Sequence, residues 1–350
     1  MLPLQIPRAL RAGDRLAAVS LSWGGPGVFP HQYELGKRQL EAEFGVELVA
    51  MPNALRDADW LAQNPAARAD DLMQAFADAN IHGIVSTIGG DDSIRLLPHL
   101  DLDVVRQNPK IFLGYSDTTV SHLVCLKAGL RSYYGPSIMA GFGERGGLLP
   151  LMVDSVRATL FEPEPNWTLP ANTGAWSTDV VDWAIPVEGS PTRPREQPTQ
   201  WHWLQGDGRV HGHLLGGCMD SLNELPGTPL WPTLEHWQDA VLFMETSEEA
   251  PPPGQLLRFI RALDAMGVLR RLKAILLGRP GGCRPEQFAD YDAALLRGVR
   301  DEAGLDLPLV THLDFGHTDP MWVLPMGAEI EIDCNAQTLR LCELATRPSD

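Results

Sequence analysis

The sequence predicts an α/β protein in two parts: a parallel sheet with helices on both faces, then a second α/β unit with an antiparallel corner. Three observations carry this prediction. The 350 residues are enough for about two domain cores. Apolar runs of strand length alternate with amphipathic stretches through the first 160 residues. That alternation breaks once, in a Pro-rich stretch, and then resumes.

Asp14–Leu21 reads as a buried strand ending in the Gly-rich turn Trp23–Gly27. A helix follows over Tyr33–Phe44, then a strand over Val46–Ala50. Ala66–Asn80 places Leu72, Ala75, Phe76 and Ala79 at helical spacing. Gly83–Ile88 is a third strand, stopped by Gly89 and Gly90. Lys110–Tyr115 is a fourth, and Thr118–Ala128 is its helix. Strand, loop and helix in repetition imply a parallel sheet, whose ligands sit at the carboxyl ends of its strands. From Phe161 to Gln200 seven prolines interrupt any periodicity, which reads as a linker or excursion. Beyond it, Arg209–Leu215, Ala240–Glu245, Lys273–Gly278 and Leu307–Thr311 read as strands, with helices over Gln255–Met266 and Pro285–Ala303. Met321–Leu324, Ala328–Asp333 and Thr338–Glu343 alternate as short strands and make the antiparallel corner. The expected division is residues 1–160, an excursion over 161–205 and a second unit over 206–350.

Lys and Arg number 28 against 45 Asp and Glu, a net charge of −17. Such a surface repels phosphate backbones, so a nucleic-acid polymer is not the expected partner. No apolar run of about 18 residues is present, so no membrane span is expected. The five cysteines form no CxxC pair, and the first residues lack a basic segment followed by an apolar run. Both point to a reducing cytoplasm.

The sharpest chemical feature is Leu113–Thr119, where a hydrophobic strand runs into Ser116 and a helix starts at once. A serine on such a turn projects its hydroxyl over the sheet edge, toward backbone N–H groups. That suits a nucleophile, whose oxyanion needs donors about 3 Å away; Asp117 could supply one. Serving as a helix cap would explain Ser116 as well. A serine needs a base, and His317 stands on a loop shaped by Gly316 and Pro320. The base needs a carboxylate, and Glu245 ends an apolar strand, where an ionised group is costly unless paired. A solvated role suits Glu245 equally, given Glu248 and Glu249 beside it.

Ile88–Asp91, Leu113–Thr119, Leu214–Gly217, Leu242–Glu245 and Asp314–His317, in this order, resemble the LD-carboxypeptidase family of serine peptidases. That family includes the muramoyl-tetrapeptide carboxypeptidases and the microcin C immunity proteins. The resemblance implies a flavodoxin-like N-terminal domain, a smaller C-terminal domain and a site between them, in a homodimer. It implies a triad of Ser116, Glu245 and His317, and an oxyanion hole from the backbone of Asp117, Gly89 and Gly90. No cofactor or metal is expected. The family's second Gly-Gly is commonly followed by Asn; here Gly217 is followed by Cys218, and both are expected at the substrate.

Five of the ten tryptophans fall between Trp167 and Trp203. Trp201 and Trp203 flank His202, so on a strand their rings share a face. The segment Trp201–Val210 resembles the microcin-immunity branch, so the pair is expected to stack on a nucleobase, although packing of the linker would account for it too. The expected activity is therefore hydrolysis of an amide bond in an aminoacyl-nucleotide, with release of the terminal D-amino acid of murein tetrapeptide as the rival. A non-catalytic nucleotide- or peptide-binding module is a third possibility. A zinc amidohydrolase built on His211 and His213 is a fourth; those two share a strand face with Cys218 in reach, but no carboxylate nearby completes the set.

Overall fold

A computed structural model describes residues 2–179, 181–186 and 192–349. The first sheet holds β1 (Arg15–Val19), β2 (Glu47–Ala50), β3 (Gly83–Ser86), β4 (Ile111–Gly114) and β5 (Tyr133–Tyr134). They lie in the order β2-β1-β3-β4-β5 and are mutually parallel, the flavodoxin-like order. Alternation along β1 explains the layers. Leu16 and Ala18 face Tyr33, Leu40 and Phe44 of the helix Pro30–Phe44. Ala17 and Val19 face Leu72 and Phe76 of the helix Pro65–Ala77. Both faces are buried, as a parallel sheet requires.

The second sheet is built from β6 (His202–Gln205), β7 (Arg209–Cys218), β8 (Ala240–Glu245), β9 (Ala274–Gly278) and β10 (Leu309–Leu313). It is completed by β12 (Glu329–Asp333) and β13 (Thr338–Leu341), with β11 (Leu324–Pro325) lying elsewhere. Its order is β13-β12-β7-β8-β9-β10-β6. The central strands β7 to β10 are parallel, and β6, β12 and β13 pair antiparallel to their neighbours. This is the expected mixed α/β architecture.

Two details differ from the sequence expectation. Of the expected strand Met321–Leu324 only Leu324 is in a strand, with Pro325, and that strand leaves the second sheet to pair antiparallel with β5 of the first. The tail follows it back: the Tyr133 hydroxyl donates to the Ala345 carbonyl at 2.9 Å, and the Ala9 N–H donates to the Arg347 carbonyl at 2.7 Å. The other detail is β6, which arises inside the expected excursion as an edge strand on β10.

The helix Thr119–Ala128 is buried at every residue but Lys127. A helix apolar on all sides belongs inside, and this one lies between the sheets. One apolar cluster runs from Phe112 and Leu123 through Leu214, Val241 and Ile275. The carboxyl ends of β4 and of β7 to β10 therefore converge on one seam. No helix among the described residues is long and apolar enough to cross a membrane.

Candidate active site

Ser116 lies two residues beyond β4, at φ 63°. A non-Gly residue there is strained, and the strain turns its side chain out of the sheet. Gly89 makes room for it: a Cβ on Gly89 would lie 2.7 Å from Ser116 Oγ and 3.5 Å from the Asp117 nitrogen. The N–H groups of Asp117 and Gly90 find no acceptor among the described residues. The Asp117 carboxylate is turned away, accepting from the Ser93 N–H at 2.8 Å.

The three triad candidates meet. His317 Nε2 is 3.0 Å from Ser116 Oγ, and its Nδ1 is 2.6 Å from Glu245 Oε2. A carboxylate only accepts, so the proton on that side sits on Nδ1 and leaves Nε2 for the serine. Glu245 ends β8 and is fully buried. Gly316, at φ 93°, lets the His317 loop pass directly over it; a Cβ on Gly316 would meet Glu245 Cγ at 2.5 Å.

The sequence reading missed Tyr134. Its hydroxyl donates to Glu245 Oε1 at 2.5 Å and accepts from the Ser116 N–H at 3.1 Å. One phenol thus ties the nucleophile's backbone to the acid. Burial alone would raise the Glu245 carboxyl, but His317, Tyr134 and Cys218 outweigh it and hold it below its usual range. Glu248 was also missed as a neighbour of the base. Its Oε2 is 3.1 Å from His317 Nε2, so the imidazole stands between two carboxylates. Burial pushes this ring down, yet Glu245 first, then Glu248 and Asp220, raise it to about 9.

The site opens into a cavity of about 530 Å³, well within the size of small-molecule sites. Ser116, Gly89, Gly90 and His317 are at its wall. So are Trp23 and Trp183, whose rings lie 16° from parallel with centroids 6.2 Å apart. Nothing in the local pattern distinguished this pair, because Trp23 and Trp183 come from separate loops.

Trp201, Trp203, Gly217 and Cys218, expected at the substrate, are not among the residues that line this cavity. Trp201 packs edge-on against Trp322 and donates Nε1–H to Asp314 at 2.9 Å. Trp203 is half-buried on β6, against the core. The pair therefore secures an edge strand. Gly217 sits against Thr119, and Cys218 is buried behind Glu245, its N–H donating to Thr119 Oγ1 at 3.0 Å. His213 Nε2 meets the His236 carbonyl at 2.7 Å, and among the described residues His211 and His213 do not fall in one group of potential metal ligands. The carboxylates the sequence lacked beside His211 are supplied by β12, as Glu329 and Glu331.

Two family models match: the LD-carboxypeptidase N-terminal domain over residues 16–135, and the LD-carboxypeptidase C-terminal domain over residues 211–332. The microcin C7 self-immunity protein MccF of Escherichia coli is 30% identical over 282 residues, covering 79% of this chain and 78% of its own. The structure of an MccF-like protein from Streptococcus pneumoniae in complex with AMP is 31% identical, with a TM-score of 0.83 over 94% of this chain and 98% of that one. A structure of MccF in complex with aspartyl sulfamoyl adenosine is 26% identical, with a TM-score of 0.84 over 98% and 99%.

Proposed function

We propose, because this chain belongs to the LD-carboxypeptidase family, that Ser116, His317 and Glu245 hydrolyse the amide bond of an aminoacyl-nucleotide. The chain is a serine carboxypeptidase-type enzyme. The observation that carries the reading is the unbroken contact from Ser116 Oγ to His317 Nε2 and from Nδ1 to Glu245, opening beside a stacked tryptophan pair.

In this reading His317, once neutral, takes the Ser116 proton as Oγ attacks the carbonyl carbon. Glu245 holds the Nδ1–H tautomer and balances the imidazolium. The N–H groups of Asp117 and Gly90 receive the oxyanion. His317 then returns the proton to the leaving amine, and a water activated the same way releases the acid. Trp23 and Trp183 offer faces on which a base stacks, worth ~1–3 kcal/mol. The AMP and the aspartyl sulfamoyl adenosine held by the two solved relatives each carry an adenine base.

The test compares an aminoacyl sulfamoyl adenosine with a murein tetrapeptide. Wild type should hydrolyse the first, and Trp183→Ala should weaken its binding about 5- to 150-fold while leaving any tetrapeptide KM nearly unchanged. Turnover of the tetrapeptide alone would move the function to the second reading, release of the terminal D-amino acid, which the LD-carboxypeptidase domain matches favour. Tight nucleotide binding with no turnover of either would favour a binding module. The homodimer implied by the resemblance is part of the proposal, and light scattering of the purified chain checks it. The five free thiols support a reducing compartment.

A further inference from the structure

We propose that His202, Asp292 and His312 form a Zn²⁺ site on the outer edge of the second sheet, separate from the cavity. One ligand atom from each lies within 4.8 Å of the others. His202 Nδ1 is 3.0 Å from Asp292 Oδ2, and His312 Nε2 is 3.2 Å from Asp292 Oδ1. Zinc bonds of about 2.0–2.1 Å at tetrahedral angles put neighbouring ligand atoms about 3.3 Å apart, so closing from within 4.8 Å takes at most about 1.5 Å.

The decisive atom is His312 Nε2. It is buried and within ion-pair distance of Asp292 Oδ1, 3.2 Å, but out of line for a good hydrogen bond, and no other partner meets it among the described residues. A buried ring nitrogen without a well-aligned partner is costly. Two donors close together but out of line suit two ligands of one ion better than a donor and an acceptor.

The backbone delivers this arrangement. Between Val310 and Leu313, two residues of β10 stand opposite one of β9, so β10 bulges there, and His312 takes φ 62°. A bulge re-aims side chains. Here Thr311 and His312 both reach Asp292, on the helix Phe288–Leu296. The Thr311 hydroxyl donates to Asp292 Oδ1 at 2.7 Å, a buttress of the kind that orients metal-binding carboxylates. His202 is half-exposed, which leaves the fourth position to water. Two imidazoles and one carboxylate suit zinc rather than Ca²⁺ or Mg²⁺. An ion there would pin the edge strand β6 to β10 and to the helix.

The test titrates the full chain, stripped with chelator, with ZnCl₂ by calorimetry. The expected result is one zinc per chain with a Kd of about 10 μM or tighter, and a melting temperature that rises with zinc. His202→Ala removes an exposed ligand without opening the core and should weaken binding at least about tenfold. His211→Ala and His317→Ala, which disrupt the other two clusters of His with Cys or Glu, should leave that zinc in place. Absence of stoichiometric binding overturns the proposal. So does zinc that survives His202→Ala, or that disappears in His211→Ala or His317→Ala.

Discussion

Two His–carboxylate groups in the second half of the chain combine the same residue types in different geometries. At the seam, His317 has each ring nitrogen in line with a partner: Glu245 at 2.6 Å and Ser116 at 3.0 Å. On the outer edge, His312 Nε2 stands farther from its carboxylate, at 3.2 Å, and out of line for a good hydrogen bond. Alignment separates them. A proton moves along a straight donor–acceptor line, whereas an ion collects lone pairs that converge on a point. Composition is therefore a poor guide to what a His–carboxylate group does, and direction is a good one.

The largest test of this contrast is Ser116→Ala. It should lower turnover by about 10⁶, the scale of a lost triad nucleophile, and leave zinc binding unchanged. Purified variant assayed on the sulfamoyl adenosine substrate, with folding checked by circular dichroism, decides it; near-wild-type rates would remove Ser116 from the chemistry. Glu245→Gln comes next. An amide can present its own N–H to the ring and favour the wrong tautomer, so kcat should drop by about 10⁴.

Tyr134→Phe sharpens the comparison within the seam. It leaves a Glu245 oxygen and the Ser116 N–H without partners, at about 1–3 kcal/mol. If that loss falls on the transition state, kcat falls roughly 5- to 150-fold with KM little changed. A pure stability loss with normal kcat would reduce Tyr134 to a packing role.

The smallest expected effect is in the pH profile. His317 must be neutral to act, and its ring is raised to about 9. The value of kcat/KM should therefore climb with pH and level off only above about 9. Glu248→Gln removes one of the charges that favour the imidazolium, so the limb should move to lower pH and the rate near neutrality should rise. The stability linked to this ring has the opposite sense: it is fully present below the unfolded value of about 6.5 and lost as pH rises through about 9. An unmoved limb would show that Glu248 is turned away from the ring in solution.

Much of the seam was legible in the sequence, for a physical reason. Ser116, Glu245 and His317 each stand at or just beyond the end of an apolar strand, where parallel sheets carry their chemistry; that made them candidates, while their grouping as a triad came from the family resemblance. Tyr134 was illegible because its two hydrogen bonds link β5 to β8 and to the turn after β4, contacts that exist only once the sheets meet. The tryptophans misled because period-2 alternation shows which residues share a face but not what that face meets. Trp201 meets Trp322 and Asp314, while Trp23 and Trp183 come together across 160 residues. The same blindness applies to His202, Asp292 and His312, joined by an edge pairing and a bulge that no local pattern announces.

Strand β11 has a consequence for the order of events at the ribosome. Synthesis is vectorial, and a first domain ordinarily folds while the rest is still being made. Here the edge of the first sheet stays open at β5 until Leu324–Pro325 emerges, and Ala9 waits for Arg347. Contacts spanning almost the whole chain raise the contact order and slow folding. The nascent first half thus carries Ser116 on an unfinished scaffold, with a bare sheet edge available to chaperones. A ribosome-bound chain halted before Leu324 should remain protease-sensitive around Tyr133, and become resistant once that strand clears the exit tunnel.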